Sequence, residues 1–215
     1  MKKILVLTSA LIITGAIAQA QKTTFGIKAG ITSSSLNLSA KETDTKIHVD
    51  GSKVGAIAGG VADISFSDNF SVQPNLLFVY KPGSLLFLGE GDVTTISVDV
   101  PINLLYHSNG FFIGAGPNFS YGISSKYKPY DDSDPTVDMY KKDGDTEAPF
   151  KRFEFGVNGT MGYQFASGLT LATHFTRNFS NLSSQDLGSD AKFTTKQVGL
   201  SIGYMFGKTV AKKSK

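Results

Sequence analysis

Two short runs of this chain place a histidine near a hydroxyl side chain, the pairing that nucleophilic hydrolases use. They are His107-Ser108-Asn109-Gly110 and His174-Phe175-Thr176. Catalysis requires the hydroxyl and the imidazole to share one hydrogen bond. Neighbouring residues of a strand point to opposite faces, so His107 and Ser108 would diverge. The first run is better explained as a tight turn.

The second run does place His174 and Thr176 on one strand face, and Asn178 follows on that face. A membrane-embedded lipid hydrolase has a similar spacing, with serine in place of threonine, and its site must face lipid. The face that carries His174 is predicted below to point into a barrel. We therefore expect an interior hydrogen-bond network and no catalytic residue, and a lipid hydrolase that uses His174 stays as an alternative.

Four charged or titratable residues fall on the same predicted inner face: Lys28, Asp99, Glu154 and His174. A charge inside a narrow barrel needs a partner, because an unpaired buried charge is costly. We expect these four residues to belong to a structural polar network that fills the interior. The sequence predicts no cofactor.

Acidic residues crowd one long connection, where seven carboxylates face only two lysines between positions 131 and 147. Carboxylate oxygens are good ligands for Ca²⁺, but the spacing matches no dedicated calcium loop. We expect a solvated outer loop without a dedicated metal site, bridged at most by divalent ions to lipopolysaccharide. Its aspartates are Asp131, Asp132, Asp134, Asp138, Asp143 and Asp145.

The chain begins like an exported protein. A basic start is followed by an apolar run and by the small-residue site Ala18-Gln19-Ala20, which is typical of a secretory signal peptide. We expect a signal peptide at 1–20, one barrel domain at 21–207 and a basic tail at 208–215. The chain has no cysteine, and its formal net charge is only +3, with no basic stripe that would indicate a nucleic-acid partner.

Eight segments alternate large apolar residues with small or polar ones, which is the period of a strand. In the sixth segment, for example, Phe153, Phe155 and Val157 oppose Glu154 and Asn158. Outside the signal peptide no segment keeps a helical period. The eight segments are 24–36, 54–66, 70–80, 93–106, 110–123, 153–165, 168–180 and 197–206.

The connections alternate in length. Short turns are predicted at 67–69, 107–109 and 166–167, and longer loops fill 37–53, 81–92, 124–152 and 181–196. An even number of strands with alternating short turns and long loops is typical of outer-membrane barrels. We predict an all-β fold, an eight-stranded antiparallel up-and-down transmembrane β-barrel whose mature termini both lie on the periplasmic side.

The width of such a barrel decides which face points inward. Eight strands enclose a space just wide enough for side chains, and several Phe and Tyr per strand would overfill it. The apolar face should therefore meet lipid, with aromatic girdles at both interfaces. The expected girdle residues are Phe70, Tyr80, Tyr106, Phe111, Tyr121, Phe153, Phe165, Phe179 and Phe206.

Three prolines fall inside the predicted strands, at Pro74, Pro101 and Pro117. Proline cannot donate a hydrogen bond to a strand ladder, and a closed barrel has no edge strand to place it on. Each proline therefore requires a bulge or a locally broken pair.

Four motifs in this order resemble the PorT-like outer-membrane β-barrel domain family. They are Phe25-Gly26-Ile27-Lys28-Ala29-Gly30, Val100-Pro101-Ile102-Asn103-Leu104-Leu105-Tyr106, Gly114-Ala115-Gly116-Pro117-Asn118-Phe119-Ser120-Tyr121 and Val198-Gly199-Leu200-Ser201-Ile202-Gly203-Tyr204. The resemblance covers nearly all of the mature chain and implies an eight-stranded barrel in a Gram-negative outer membrane, with prolines at the second and third of these places. It implies no single activity.

We expect a structural or surface-recognition role carried by the outer loops, without catalysis. Three alternatives stay open: a narrow pore or transport accessory, the lipid hydrolase, and a soluble periplasmic barrel that binds lipid with its apolar face inward. The expected partners are outer-membrane lipid, lipopolysaccharide and the barrel-assembly machinery, with a further protein partner outside or in the periplasm left unidentified.

Overall fold

The computed structural model describes residues 22–40, 46–49, 53–84, 91–129, 136–141, 148, 150–182 and 191–206. Eight long strands build the wall, and two short strands lie in the long connections. In chain order the strands are β1 (Lys22–Ala40), β2 (Lys46–Val49), β3 (Val54–Ser65), β4 (Phe70–Ser84), β5 (Gly91–Ser108), β6 (Phe111–Pro129), β7 (Val137–Asp138), β8 (Phe153–Gln164), β9 (Leu169–Asn178) and β10 (Ala191–Met205).

The wall closes on itself. Each long strand pairs antiparallel with the next long strand along the chain, and β1 pairs with both β3 and β10. The short strands β2 and β7 extend the wall beside β1 and β6. The predicted eight-stranded antiparallel barrel is confirmed. Among the described residues no helix is long and apolar enough to cross a bilayer.

Side chains alternate between the two faces of the wall as the sequence predicts. In β8 the carboxylate of Glu154 and the amide of Asn158 are buried in the interior, whereas Phe153, Phe155 and Val157 are exposed on the outside. All nine predicted girdle aromatics are exposed as well. This outward apolar face excludes the soluble alternative, which requires the apolar face to point inward.

The barrel has two unlike ends. One end, which we call the short-turn end, carries three tight turns together with Lys22 and Phe206. The opposite end, the long-loop mouth, receives the longer connections. Exposed rings collect at the short-turn end, where Phe70 lies 5.3 Å from Tyr106 and Phe111 lies 4.8 Å from Tyr163 between ring centroids.

The prolines interrupt the ladders, as predicted. The pairing of β4 with β5 skips from Pro74 opposite Ile102 to Leu77 opposite Asp99. The pairing of β5 with β6 skips in the same way after Pro101. The Asn75 side chain partly repairs the gap, because its Nδ2 donates to the carbonyl of Pro101 at 3.4 Å.

Several strands are longer than predicted, and this changes one interpretation. The strand β5 extends to Ser108, so His107 is part of the wall and not of a turn. The turn itself is Asn109-Gly110, and both residues have positive φ angles of 50° and 87°. This conformation suits a two-residue hairpin turn.

Candidate functional site

The four predicted interior residues do all face the lumen. Asp99, Glu154 and His174 are buried, and Lys28 is half-buried on β1. They come from four different strands, so only the closed wall brings them into one space. The structure gives each of them a different environment, and it does not join them into one set of direct contacts.

Asp99 has a partner that the sequence reasoning missed. Lys81 Nζ lies 3.1 Å from Asp99 Oδ2, and Ser97 Oγ donates to Asp99 Oδ1 at 2.8 Å. The sequence predicts a loop at Lys81, because the strand predicted before it ends at residue 80. Because β4 continues to Ser84, Lys81 extends the inward alternation of Leu77 and Val79.

Glu154 is held by neutral donors. Its Oε2 accepts hydrogen bonds from Asn178 Nδ2 at 3.0 Å and from Thr195 Oγ1 at 2.6 Å. Asn178 Oδ1 in turn accepts from Asn118 Nδ2 at 3.3 Å. These bonds tie β6, β8, β9 and the long-loop end of β10 together at one level of the inner wall.

His174 lies at mid-height beside the backbone of Gly199, where any larger side chain would meet the imidazole ring. Neither ring nitrogen has a hydrogen-bond partner among the described residues. The hydroxyl of Thr176 accepts instead from Asn158 Nδ2 at 2.7 Å. His174 and Thr176 therefore do not form the hydrogen bond that a nucleophilic site requires.

A second polar cluster, also missed by sequence reasoning, fills the short-turn end. Ser71 Oγ donates to Asp63 Oδ2 at 3.0 Å and lies 2.8 Å from His107 Nε2. Gln73 Nε2 donates to the same carboxylate at 3.2 Å. In a catalytic triad the acid binds the ring nitrogen opposite the nucleophile. Here Asp63 Oδ2 lies 3.8 Å from the same Nε2 that Ser71 approaches, so the cluster lacks the arrangement of a triad.

At the long-loop mouth, the connection between β6 and β8 folds back over the barrel. Met139 N donates to the carbonyl of Ser125 at 2.8 Å, and Phe150 N donates to the carbonyl of Met139 at 3.0 Å. Lys151 N donates to the carbonyl of Leu182 at 2.7 Å, and this bond joins the connection to the one between β9 and β10. Met139, Tyr127, Val93 and Phe150 pack into a small apolar cluster.

Tyr140 lies over this mouth and is fixed there. The guanidinium of Arg152 stands 4.8 Å from the centre of its ring and donates to the carbonyls of Gly122 and Ile123. Burial and, next, the nearby Glu154 carboxylate raise the pKa of the Tyr140 phenol. The phenol therefore stays neutral at physiological pH.

Of the predicted acidic loop the structure describes Asp138 only. Its Oδ1 accepts from Tyr140 N at 3.0 Å, and Lys141 Nζ lies 3.9 Å from its other oxygen. Within the described part of the chain no three acidic or histidine side chains converge on a metal position. Asp131, Asp132, Asp134, Asp143 and Asp145 lie outside the described residues.

Comparison with known proteins identifies the family. Residues 18–184 match the model of the outer membrane protein beta-barrel domain. No curated protein matches this chain in sequence.

Similar solved structures include the attachment invasion locus protein Ail of Yersinia pestis, at 13% identity, a TM-score of 0.45 and coverage of 86% of this chain and 100% of that one. Neisserial surface protein A is 9% identical, with a TM-score of 0.48 and coverage of 86% and 99%. OprG from Pseudomonas aeruginosa is 15% identical, with a TM-score of 0.42 and coverage of 87% and 98%. With its family-model match and its closed wall, this chain belongs to the outer membrane protein β-barrel domain family and is a small eight-stranded barrel of the outer membrane.

Proposed function

We propose that this protein is a closed surface barrel whose role, structural or in recognition, is carried by its long-loop mouth, without catalysis or solute transport. The observation that carries this proposal is the filled lumen. We also propose, on the motifs around Pro101 and Pro117, that it falls among the PorT-like members of the family.

Side chains obstruct the lumen near both ends. At the short-turn end Leu105 and Phe112 are buried beside the Asp63 cluster. Near the long-loop mouth the ion pair of Lys81 with Asp99 and the hydrogen bonds of Glu154 fill the inner side of the wall. Since eight strands leave little more than side-chain room, these contacts are enough to close the passage. A pore would require both obstructions to rearrange.

The interior also disfavours a lipid hydrolase. The imidazole of His174 is buried and its ring points away from the lipid face, while the only hydroxyl next to it on the same strand face bonds Asn158. A lipid ester outside the wall would not reach it. The alternative is tested by the lipid-release activity of a His174→Ala variant, which we expect to equal that of the unchanged protein.

We propose that 1–20 is removed as a signal peptide, that 21–207 is the barrel domain and that 208–215 is a basic tail in the periplasm. The short-turn end then faces the periplasm, because both ends of the barrel domain lie there. The apolar outer face of the wall contacts outer-membrane lipid. The barrel-assembly machinery inserts the barrel into this membrane. The long-loop mouth faces outward, towards lipopolysaccharide and any extracellular partner.

Single cysteines test this orientation, because the chain contains none. Lys151→Cys marks the long-loop mouth, and Asp68→Cys marks a turn at the short-turn end; both positions are exposed. We expect a membrane-impermeant maleimide to label Lys151→Cys on intact cells, and Asp68→Cys only after the outer membrane is permeabilised. The reverse pattern would contradict the proposed orientation and move recognition to the periplasm.

A further inference from the structure

The long-loop mouth contains a pocket with apolar walls. The apolar part of the lining comes from the ends of β4 and β5 and from the two connections that fold over the mouth, and it consists of Pro82, Val93, Tyr140, Phe150 and Leu182. The rest of the lining is mainly polar. Four of these five side chains carry no charge and no hydrogen-bonding group. Such walls suit a short hydrocarbon chain, as in most small-molecule sites.

Backbone hydrogen bonds and a ring contact hold the walls of the pocket in place. The backbone bonds from Met139 to Ser125 and from Lys151 to Leu182 hold the two connections against the wall. The contact with Arg152 fixes the ring of Tyr140. A preformed site loses less conformational entropy on binding, which favours affinity for small ligands.

The floor of the pocket leaves a hydrogen-bond donor without a partner. Gln197 is only 7% exposed and lies between this pocket and a smaller cavity beside His174, and its Nε2 has no acceptor among the described residues. The carboxylate of Glu154, which also lines the pocket, already accepts hydrogen bonds from Asn178 and Thr195. A buried amide of this kind is costly unless an acceptor reaches it.

The charges around the pocket disfavour a charged ligand. Lys81, Lys196 and Glu154 line it, and Lys81 is paired with Asp99 below the floor. Lys81 is engaged by Asp99 and lies in the field of Glu154, and Glu154 already accepts two hydrogen bonds, so neither offers a free counter-charge to a charged head. Lys196 shares the outward strand parity of the exposed Val198. Desolvating a charged head without a free counter-charge is expensive. An uncharged head with oxygen acceptors avoids this cost.

We propose that the long-loop mouth is a binding site for a small neutral amphiphile. Its polar head accepts a hydrogen bond from Gln197 Nε2, and its hydrocarbon chain packs against Val93, Phe150 and Leu182. This inference rests on the proposed function, since it gives the recognition surface a chemical class of ligand. The cysteine labelling above uses no ligand, so the outward orientation and the ligand class can fail separately.

The chain contains no tryptophan, so an introduced one reports on a single place. Phe150→Trp places the reporter in the pocket wall, and Phe153→Trp places a matched control on the lipid face, where Phe153 is exposed. Each variant is inserted into phosphatidylcholine vesicles and titrated with monodecanoyl glycerol, decanoate or decylamine. These three probes share a chain length and differ in the charge of the head.

We expect a saturable emission change of the Phe150→Trp reporter with monodecanoyl glycerol, and only a linear response of the Phe153→Trp control. The two charged probes should bind about tenfold more weakly or worse, which corresponds to ~1.4 kcal/mol. Adding Gln197→Met should weaken monodecanoyl glycerol binding by roughly two- to tenfold, the usual effect of one lost hydrogen bond.

Linear responses of both reporters to all three probes would overturn the proposal, because they indicate partition into the bilayer alone. If the emission of the Phe150→Trp reporter saturates with decanoate in preference to monodecanoyl glycerol, the proposal of an uncharged head group is wrong. Where Gln197→Met does not fold, as judged by its gel mobility in SDS before and after boiling, Leu182→Ala replaces it. That variant shortens the wall and should also weaken binding, and an unchanged affinity would contradict the assigned site.

Discussion

Replacing Lys81 by methionine should lower the free energy of unfolding of the barrel by about 3–5 kcal/mol, because it leaves the buried Asp99 carboxylate without its cation. The two side chains are only 11% and 5% exposed, and Lys81 also lies in the field of Glu154. The change is measured by urea titration in vesicles, scoring the fraction that still migrates as folded barrel in an unboiled gel.

The chain provides a matched control for this prediction. Lys53 forms an ion pair of 2.7 Å with Asp92, but the two side chains are 44% and 39% exposed. Lys53→Met should cost at most about 1 kcal/mol, because water already solvates both charges. The double variant Lys81→Met, Asp99→Leu should recover most of the loss, since no charge is stranded. Equal losses for Lys81→Met and Lys53→Met would show that Lys81–Asp99 is not a buried structural pair.

Replacing Gly116 by alanine should destabilise the barrel by about 3 kcal/mol, at the upper end of ordinary overpacking. Gly116 lies where the ladder between β5 and β6 is interrupted, and a Cβ atom there would overlap the carbonyl oxygen of Ile102. The obstacle is backbone, which cannot rotate away as a side chain can. The same urea titration measures the effect.

Gly60 is the control for this second prediction. It lies on β3, and a Cβ atom added to it meets no heavy atom within 4 Å. Gly60→Ala should therefore stay within about 0.5 kcal/mol of the unchanged protein. If Gly116→Ala is equally harmless, the close approach of β5 and β6 at this point does not exist in the folded barrel.

The strands and their faces could be predicted because a membrane barrel keeps the period of two through the whole bilayer. Phe153, Glu154 and Phe155 show it plainly, and so does the order of short turns and long connections. Beyond the bilayer the alternation no longer has to hold. For that reason the sequence predicts loops for the outer part of β4 with Lys81 and for the extension of β6 with its partner β7.

The interior could be predicted only residue by residue. The alternation of side chains along a strand tells that Asp99 and Glu154 point inward. Their partners Lys81 and Asn178 lie on other strands, and identifying them requires the register of the strand pairing. Asn178 reaches Glu154 across the pairing of β8 with β9, which no local pattern specifies. The Asp63 cluster does not follow from the sequence, because β3 is rich in glycine and alanine and because the sequence predicts a turn at His107.

The central claim is that this membrane barrel is closed. Purified protein whose gel mobility in SDS changes on boiling, and which is therefore folded, is added to a planar lipid bilayer under an applied voltage. We predict insertion without discrete current steps. Reproducible single-channel steps from the folded protein would contradict the closed lumen and make the protein a narrow pore.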